Sequence, residues 1–179
     1  MSPDAPATPL PVRRLLEEDA ARYCTLRLRG LREHPQAFTS SLEEEQSRPL
    51  AWAQARLRDD PQRPHDFFLG GFLGDALVGT VGLQGRYRAK ERHNATVVGL
   101  YVAPEAARRG LGQALMAVLL AQARARPGLD QLDLTVTEGN TAALTLYQRC
   151  GFTVFGTQPD AIRVDGQPLA KIHMRLCLR

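Results

Sequence analysis

The chain has 179 residues, of which 44% are apolar and 23% charged, and its net charge is +4. That length and composition fit one globular domain with a real core, and the small positive charge suits an anionic small ligand while giving no case for nucleic acid. Three widely spaced cysteines, Cys24, Cys150 and Cys177, supply neither a disulfide framework nor a metal-ligand spacing, so no metal is expected; no apolar run approaches the ~20 residues that span a bilayer.

Residues 1–9 read as a disordered, proline-rich lead-in without a basic, apolar signal segment, which makes a cytoplasmic location the default. A single domain is expected over 10–179. Leu10 to Leu16 reads as a first strand. Glu17, Glu18 and Asp19 then favour a helix start, where carboxylates meet the positive dipole end. Ala20, Tyr23, Leu26 and Leu31 keep helical spacing to about Arg32, and His34-Pro35 stops the helix. Pro35 to Ser47 is a polar arm. Within it Ser41 and Glu44 form a capping-box signature for a second helix that carries Trp52 and Arg56 and ends near Pro61. Glu43, Glu44 and Glu45 read as the solvated start of that helix, or as a lid over a substrate site.

Phe67 to Leu73 and Ala76 to Leu83 read as a hairpin around Gly74-Asp75. Gly85 to Arg92 is a basic loop. Val97 to Val102 is an apolar, β-branched run, a buried strand that Pro104 ends. The turn Arg108-Arg109-Gly110-Leu111-Gly112 then leads into an apolar helix, Gln113 to Arg124. A helix start has unpaired N–H groups and a positive dipole end, and glycines let an anion approach the main chain. This turn is suited to a phosphate. Leu132 to Val136 alternates as a strand. Asn140 or Thr141 caps a helix that Gly151 ends. Phe152 to Thr157 and Leu169 to Leu178 close the chain as strands, with an Asp165-Gly166 hairpin signal between them.

Two stretches together resemble the GCN5-related N-acetyltransferase (GNAT) superfamily: Ala107-Arg108-Arg109-Gly110-Leu111-Gly112, and Asn140, Ala143, Tyr147, Gly151 and Phe152 at the spacing of that family's later helix. The element order matches over about residues 10 to 178. One departure is Ala107, where the family usually has Arg or Gln; Arg108 or Arg109 can supply the charge. The resemblance implies an α/β (α+β) single-domain GNAT fold: a mixed central sheet of six to seven strands, flanking helices, and a cleft where the fourth and fifth strands splay. It implies acetyl-CoA as co-substrate and an N-acetyltransferase that moves the acetyl group to a primary amine. The pyrophosphate would sit on the amides of Arg109 to Gln113, with Leu111 and Gly112 between. The pantetheine arm would pair with Leu100, Tyr101 and Val102, and the Val102 N–H would face the thioester oxygen. Asn140, Ala143 and Tyr147 would complete the cofactor site. Tyr147 is the catalytic candidate: a phenol, pKa near ~10, beside a departing thiolate whose acid has a pKa near ~8.5.

The proton acceptor is not legible. The fourth strand carries no carboxylate between Asn94 and Gly99; Glu138, Glu43 to Glu45 and His93 are the candidates, and the amine could also arrive neutral. The acceptor is expected to be a small-molecule or peptide amine, bound between the arm 35–47 and the hairpin 158–168. The three arm glutamates hint at a cationic one. Neither nucleic acid nor membrane is an expected partner; a homodimer is common in the family. Two rivals share part of the pattern. A dinucleotide-binding oxidoreductase would need a third glycine where Leu115 stands. A non-catalytic acyl-CoA sensor of the same fold would not need Tyr147.

Overall fold

A computed structural model describes residues 9–179, so the lead-in expected over 1–9 lies, but for Pro9, outside the described residues. Seven strands form one mixed sheet: β1 (Val12–Arg14), β2 (Phe67–Leu73), β3 (Ala76–Gly85), β4 (Asn94–Val102), β5 (Gln131–Thr137), β6 (Thr153–Val164) and β7 (Gln167–Cys177), in the spatial order β1-β2-β3-β4-β5-β7-β6. Five helices flank it: α1 (Ala20–Glu33), α2 (Leu42–Gln46), α3 (Leu50–Leu57), α4 (Leu111–Arg124) and α5 (Thr141–Arg149). The β4-α4-β5 crossover makes β4 and β5 parallel neighbours, as a strand-helix-strand unit requires. None of the described helices is long and apolar enough to cross a membrane.

The feature that matters for function is how briefly β4 and β5 pair. Their ladder runs only from Asn94–Gln131 to Thr96–Asp133, whereas β3 follows β4 up to Val102. The β3–β4 register shifts between Thr80 and Gly82, one extra residue being taken up on β4, and Gly99 there has φ +65°. A bulge bends its strand and sharpens the twist, so β4 leaves β5 beyond Thr96. The splayed cleft expected of the fold is present.

Glycines in β2 and β3 set the position of α4. An added Cβ at Gly71 would lie 2.4 Å from Leu111, and one at Gly79 would lie 2.8 Å from it. Leu111 therefore seats in a hollow that only bare backbone leaves open, and the first turn of α4 is pinned against the sheet beside the end of β4.

Three expectations need correction. The first strand is shorter than Leu10–Leu16. The capping box is real, with Glu44 N–H donating to Ser41 Oγ at 3.1 Å and Ser41 N–H donating to Glu44 Oε2 at 2.8 Å. The helix it starts nevertheless ends at Gln46, and Trp52 and Arg56 belong to a separate helix, α3. Pro49 is the reason: the residue before a proline is pushed out of the helical region, and proline has no N–H to extend the ladder. Finally, β6 runs to Val164 rather than Thr157. It pairs with β7 as far as Val164–Gln167, with an irregularity between Gln158 and Ile162 that accommodates Pro159. An outer strand tolerates this, because its outward N–H groups have no ladder to lose.

Candidate active site

Where β4 parts from β5, two cavities adjoin along the split. The larger, about 610 Å³, is lined by Leu100, Tyr101 and Val102 of β4, Gly112 of α4, and Asn140, Ala143 and Leu146 at the start and middle of α5. The second, about 420 Å³, lies toward the paired end of β4, against Thr96 to Gly99, with Thr135 of β5 and Lys171 of β7. Ala37 and Phe38 of the arm line both. The bulge at Gly99–Leu100 marks the boundary between them.

The larger cavity meets the unpaired N-terminus of α4. The first helical hydrogen bond is Ala114 N–H to the Gly110 carbonyl. Among the described residues no acceptor meets the N–H groups of Arg108 to Gln113, and α4 has no side-chain cap and no acid in its first turn. Gly110 holds φ +73° and Arg108 φ +59°, so the turn coils its amides toward one side. A Cβ at Gly112 would touch Leu146 at 3.4 Å and Val102 at 3.8 Å; the bare glycine keeps the passage between β4 and α5 open. Arg108 is exposed and Arg109 half-buried beside the turn.

The exposed edge of β4 is as informative. Ala103 N–H donates to the Val78 carbonyl at 2.8 Å. Peptide groups alternate direction along a strand, so the Val102 N–H points the other way, into the split.

Of the residues expected to hold the co-substrate, Leu100, Tyr101, Val102, Gly112, Asn140 and Ala143 line this cavity. The Asn140 side chain also accepts the Ala143 N–H at 3.2 Å, as the N-cap of α5. Tyr101 offers backbone only, since its hydroxyl donates to Glu33 Oε2 at 2.5 Å. Leu111 can offer only its N–H, because its side chain is core. Arg108, Arg109, Gly110 and Gln113 sit around the rim without lining the cavity wall.

Tyr147 departs from expectation. It stands one turn beyond Ala143 on α5, but its ring is 7% exposed and does not line the cavity. It packs edge-on against Phe152, centroids 6.0 Å apart. Burial pushes its phenol above the ordinary range, and among the described residues its hydroxyl has no hydrogen-bond partner. It therefore stays protonated at neutral pH, and its ring belongs to the core beneath α5 rather than to the cavity wall.

The candidate bases fare unevenly. Glu138 borders the larger cavity, but its carboxylate accepts the Ala170 N–H at 2.7 Å. Glu44 is held in its capping box. Glu45 is buried and accepts from Arg27 at 2.8 Å; burial alone would raise its pKa, and the hydrogen bond and charge of Arg27, joined by Ser40 and Arg48, bring it below the ordinary carboxylate value. His93 lies at the paired end of β4, its Nε2 3.1 Å from Asn94 Nδ2. Glu44 and Glu45 are thus tied up within the protein, whereas Glu43 is exposed and lines a third cavity, about 370 Å³, between the arm and Ile162 to Asp165, away from the β4–β5 split.

Residues unforeseen in the sequence are Lys171 and Arg56, both lining the smaller cavity. Lys171 sits in an alternating strand and reads there as a solvent-facing residue. It is instead 6% exposed, because the arm covers that face: Thr137 Oγ1 accepts from Lys171 Nζ at 2.7 Å and donates to the Gln36 carbonyl at 2.7 Å.

The model of the acetyltransferase (GNAT) family matches residues 28–152. Mycothiol acetyltransferase from Salinispora arenicola is 38% identical over 143 residues, 76% of this chain and 41% of that protein. L-methionine sulfoximine/L-methionine sulfone acetyltransferase from Pseudomonas paraeruginosa is 32% identical over 130 residues, 72% of each chain. The chain spans two fifths to half the length of three mycothiol acetyltransferases that it matches. Among solved structures, yncA from Salmonella typhimurium with its cofactor acetyl-CoA has a TM-score of 0.78 at 22% identity, covering 95% of this chain and 94% of that one. The Streptococcus mutans protein smu.2055 has a TM-score of 0.79 at 19% identity, covering 95% and 100%. The fold is the same in both. With the splayed β4, the glycine turn and this match over most of its length, the chain belongs to the GNAT family of acetyltransferases.

Proposed function

We propose that this domain transfers an acetyl group from acetyl-CoA to a primary amine by direct attack. The observation that carries the reading is the unpaired edge of β4 from Val97 to Val102, opening onto a helix N-terminus whose amides have no acceptor. The amides of Arg109 to Gln113 would hold the pyrophosphate, aided by the helix dipole and the two arginines. The pantetheine amides would continue the sheet along Leu100 to Val102. That seats the thioester beside the bulge, with the Val102 N–H directed at its oxygen to stabilise the developing oxyanion.

The amine enters from the smaller cavity. Its nitrogen bonds to the carbonyl carbon, the C–S bond breaks, the proton that the nitrogen sheds passes to the departing sulfur, and the amide and the free thiol of coenzyme A leave. The α5 motif assigns Tyr147 the hydrogen bond to the departing sulfur, a contact that requires its buried hydroxyl to come into the cavity when the co-substrate binds; with its pKa raised by burial, it acts as a donor rather than by full ionisation. The ammonium proton passes to water before attack, since among the described residues no carboxylate or histidine lines the smaller cavity. The relatives named for mycothiol and for methionine sulfoximine acetylation support a small-molecule acceptor. A homodimer belongs to the same proposal. The outer strand β6 exposes Val154 and Phe155, and light scattering tests whether a second chain covers them.

The test pairs binding with turnover. Acetyl-CoA should raise the melting temperature, as any ligand of the native state does, and thiol release should follow with some amine. No shift at saturating acetyl-CoA overturns the cofactor half; a shift without release across peptides, polyamines and amino acids supports the sensor reading instead.

A further inference from the structure

The smaller cavity has a charge imbalance. Its wall includes Arg27, Arg56 and Lys171 and no aspartate or glutamate. Arg27 is neutralised by Glu45 at 2.8 Å. Arg56 and Lys171 enter no ion pair among the described residues. Arg56 Nε donates to the Tyr23 hydroxyl at 3.1 Å, and its guanidinium lies 4.5 Å from the Phe68 ring centroid. Those contacts fix its orientation without cancelling its charge. Lys171 has one neutral acceptor, Thr137, which leaves two of its N–H donors unassigned among protein groups.

Burying a cation without a counter-charge is costly, and such groups are normally paired. Burial accordingly lowers the Lys171 pKa. The only protein acceptor that Lys171 Nζ meets among the described residues is the Thr137 hydroxyl. The cost is borne at one place, the wall of a cavity that opens beside the bulge where the acetyl group would be presented.

We infer that the acceptor is a small primary amine that also carries a carboxylate, and that Lys171 and Arg56 hold that carboxylate and so determine which amines are acetylated. The inference rests on the transferase reading above. The apolar part of the same wall, Phe38, Val97 and Val98, would receive the acceptor's side chain. A volume of about 420 Å³ suits a molecule of amino-acid size and excludes a folded protein substrate, though not a single chain end.

The experiment compares matched acceptors: amino acids, their carboxamides, and the amines left when the carboxylate is removed. A charge-assisted pair lost from a desolvated site costs about tenfold to a hundredfold in kcat/KM. The wild-type chain should prefer the acids by at least that margin. Lys171→Gln and Arg56→Gln should each erase most of the preference by raising KM for the acids, leaving kcat/KM for the carboxamides within about threefold. Lys171→Met should lose the preference yet melt no lower than wild type, because it removes an unpaired buried charge; a merely structural lysine would melt lower. The acetyl-CoA shift in melting temperature should be unchanged in all three variants. Equal or better turnover of carboxamides and polyamines by the wild type overturns the inference and leaves the transferase reading standing. Absence of both the acetyl-CoA shift and thiol release with every amine brings down the transferase reading, and this inference with it.

Discussion

On one side of the β4–β5 split a negative group would be met by peptide N–H groups, those of Arg109 to Gln113; on the other it would be met by side chains, Lys171 and Arg56. The first arrangement draws on five consecutive residues and a helix dipole. The second draws on α3 and β7, where Arg56 and Lys171 stand 115 positions apart in the chain. Main-chain donors survive most substitutions, because only a change that fills the space or alters the backbone removes them. Side-chain donors can be exchanged one at a time. A fold that keeps one half-site in backbone and the other in side chains can hold its cofactor while its acceptor changes.

The strongest way to break this comparison is to obstruct the backbone half. Gly112→Leu would place a branched side chain where a Cβ already meets Leu146 at 3.4 Å and Val102 at 3.8 Å. The acetyl-CoA shift in melting temperature should vanish, and turnover should fall below detection with every acceptor. Gly112→Ala, at ordinary contact distance, should keep most of both. If Gly112→Leu binds acetyl-CoA normally, the co-substrate does not pass between β4 and α5.

The side-chain half depends on keeping Arg27 neutralised. Glu45→Gln leaves Arg27 buried without its partner, and breaking such a pair costs about 3 kcal/mol. Chemical denaturation should show it. The sign with pH is definite. Glu45 titrates below its ordinary value: burial is the largest single influence and pushes it up, but the hydrogen bond and charge of Arg27, with Ser40 and Arg48, together outweigh it. Its contribution is therefore full above the unfolded carboxylate range, near ~4.3, and is lost as pH falls through the lower folded value. The acid limb of the wild-type stability curve should be shallower in the variant. An identical limb would show that the ion pair adds nothing.

Between the halves stands Tyr147. Tyr147→Phe should lower kcat about tenfold to a hundredfold, the span for one hydrogen bond to a charged acceptor. The acetyl-CoA affinity should hold, since the ring still packs on Phe152. Stability should hold too, because no protein acceptor is lost with the hydroxyl. Unchanged kcat would make Tyr147 a core residue of α5 and nothing more.

The same contrast explains what could be read in advance. The glycine turn and the α5 motif are local, following from neighbouring residues, so the left-handed turn at Gly110 and the stretches that bring Gly112, Asn140 and Ala143 to the cavity wall were legible. The order of elements followed from apolar periodicity and turn residues. The break at Pro49 was available in the sequence but was outweighed by the capping box ahead of it. Lys171 was not legible at all. Its place in an alternating strand says only which face it shares with His173 and Arg175; that the arm roofs this face is set by Thr137 and Gln36, each far away in the chain. Glu45 misled for a similar reason: its partner, Arg27, is on another helix.

The smallest test asks whether the two halves are independent. Asn140 caps α5 through the Ala143 N–H and also borders the larger cavity. Asn140→Ala should cost about 1 kcal/mol of stability, the usual value of a lost N-cap, and Asn140→Asp should restore most of it, because aspartate caps equally well. Both should raise the KM for acetyl-CoA by a few fold if the amide also touches the pantetheine arm; only the alanine variant should do so if capping is its whole role. Neither should alter the preference between an amino acid and its carboxamide, which Asn140 does not face. A shift in that preference would mean that loosening α5 reaches Lys171 through β5 and β7, and the cofactor and acceptor halves would have to be treated as one coupled unit.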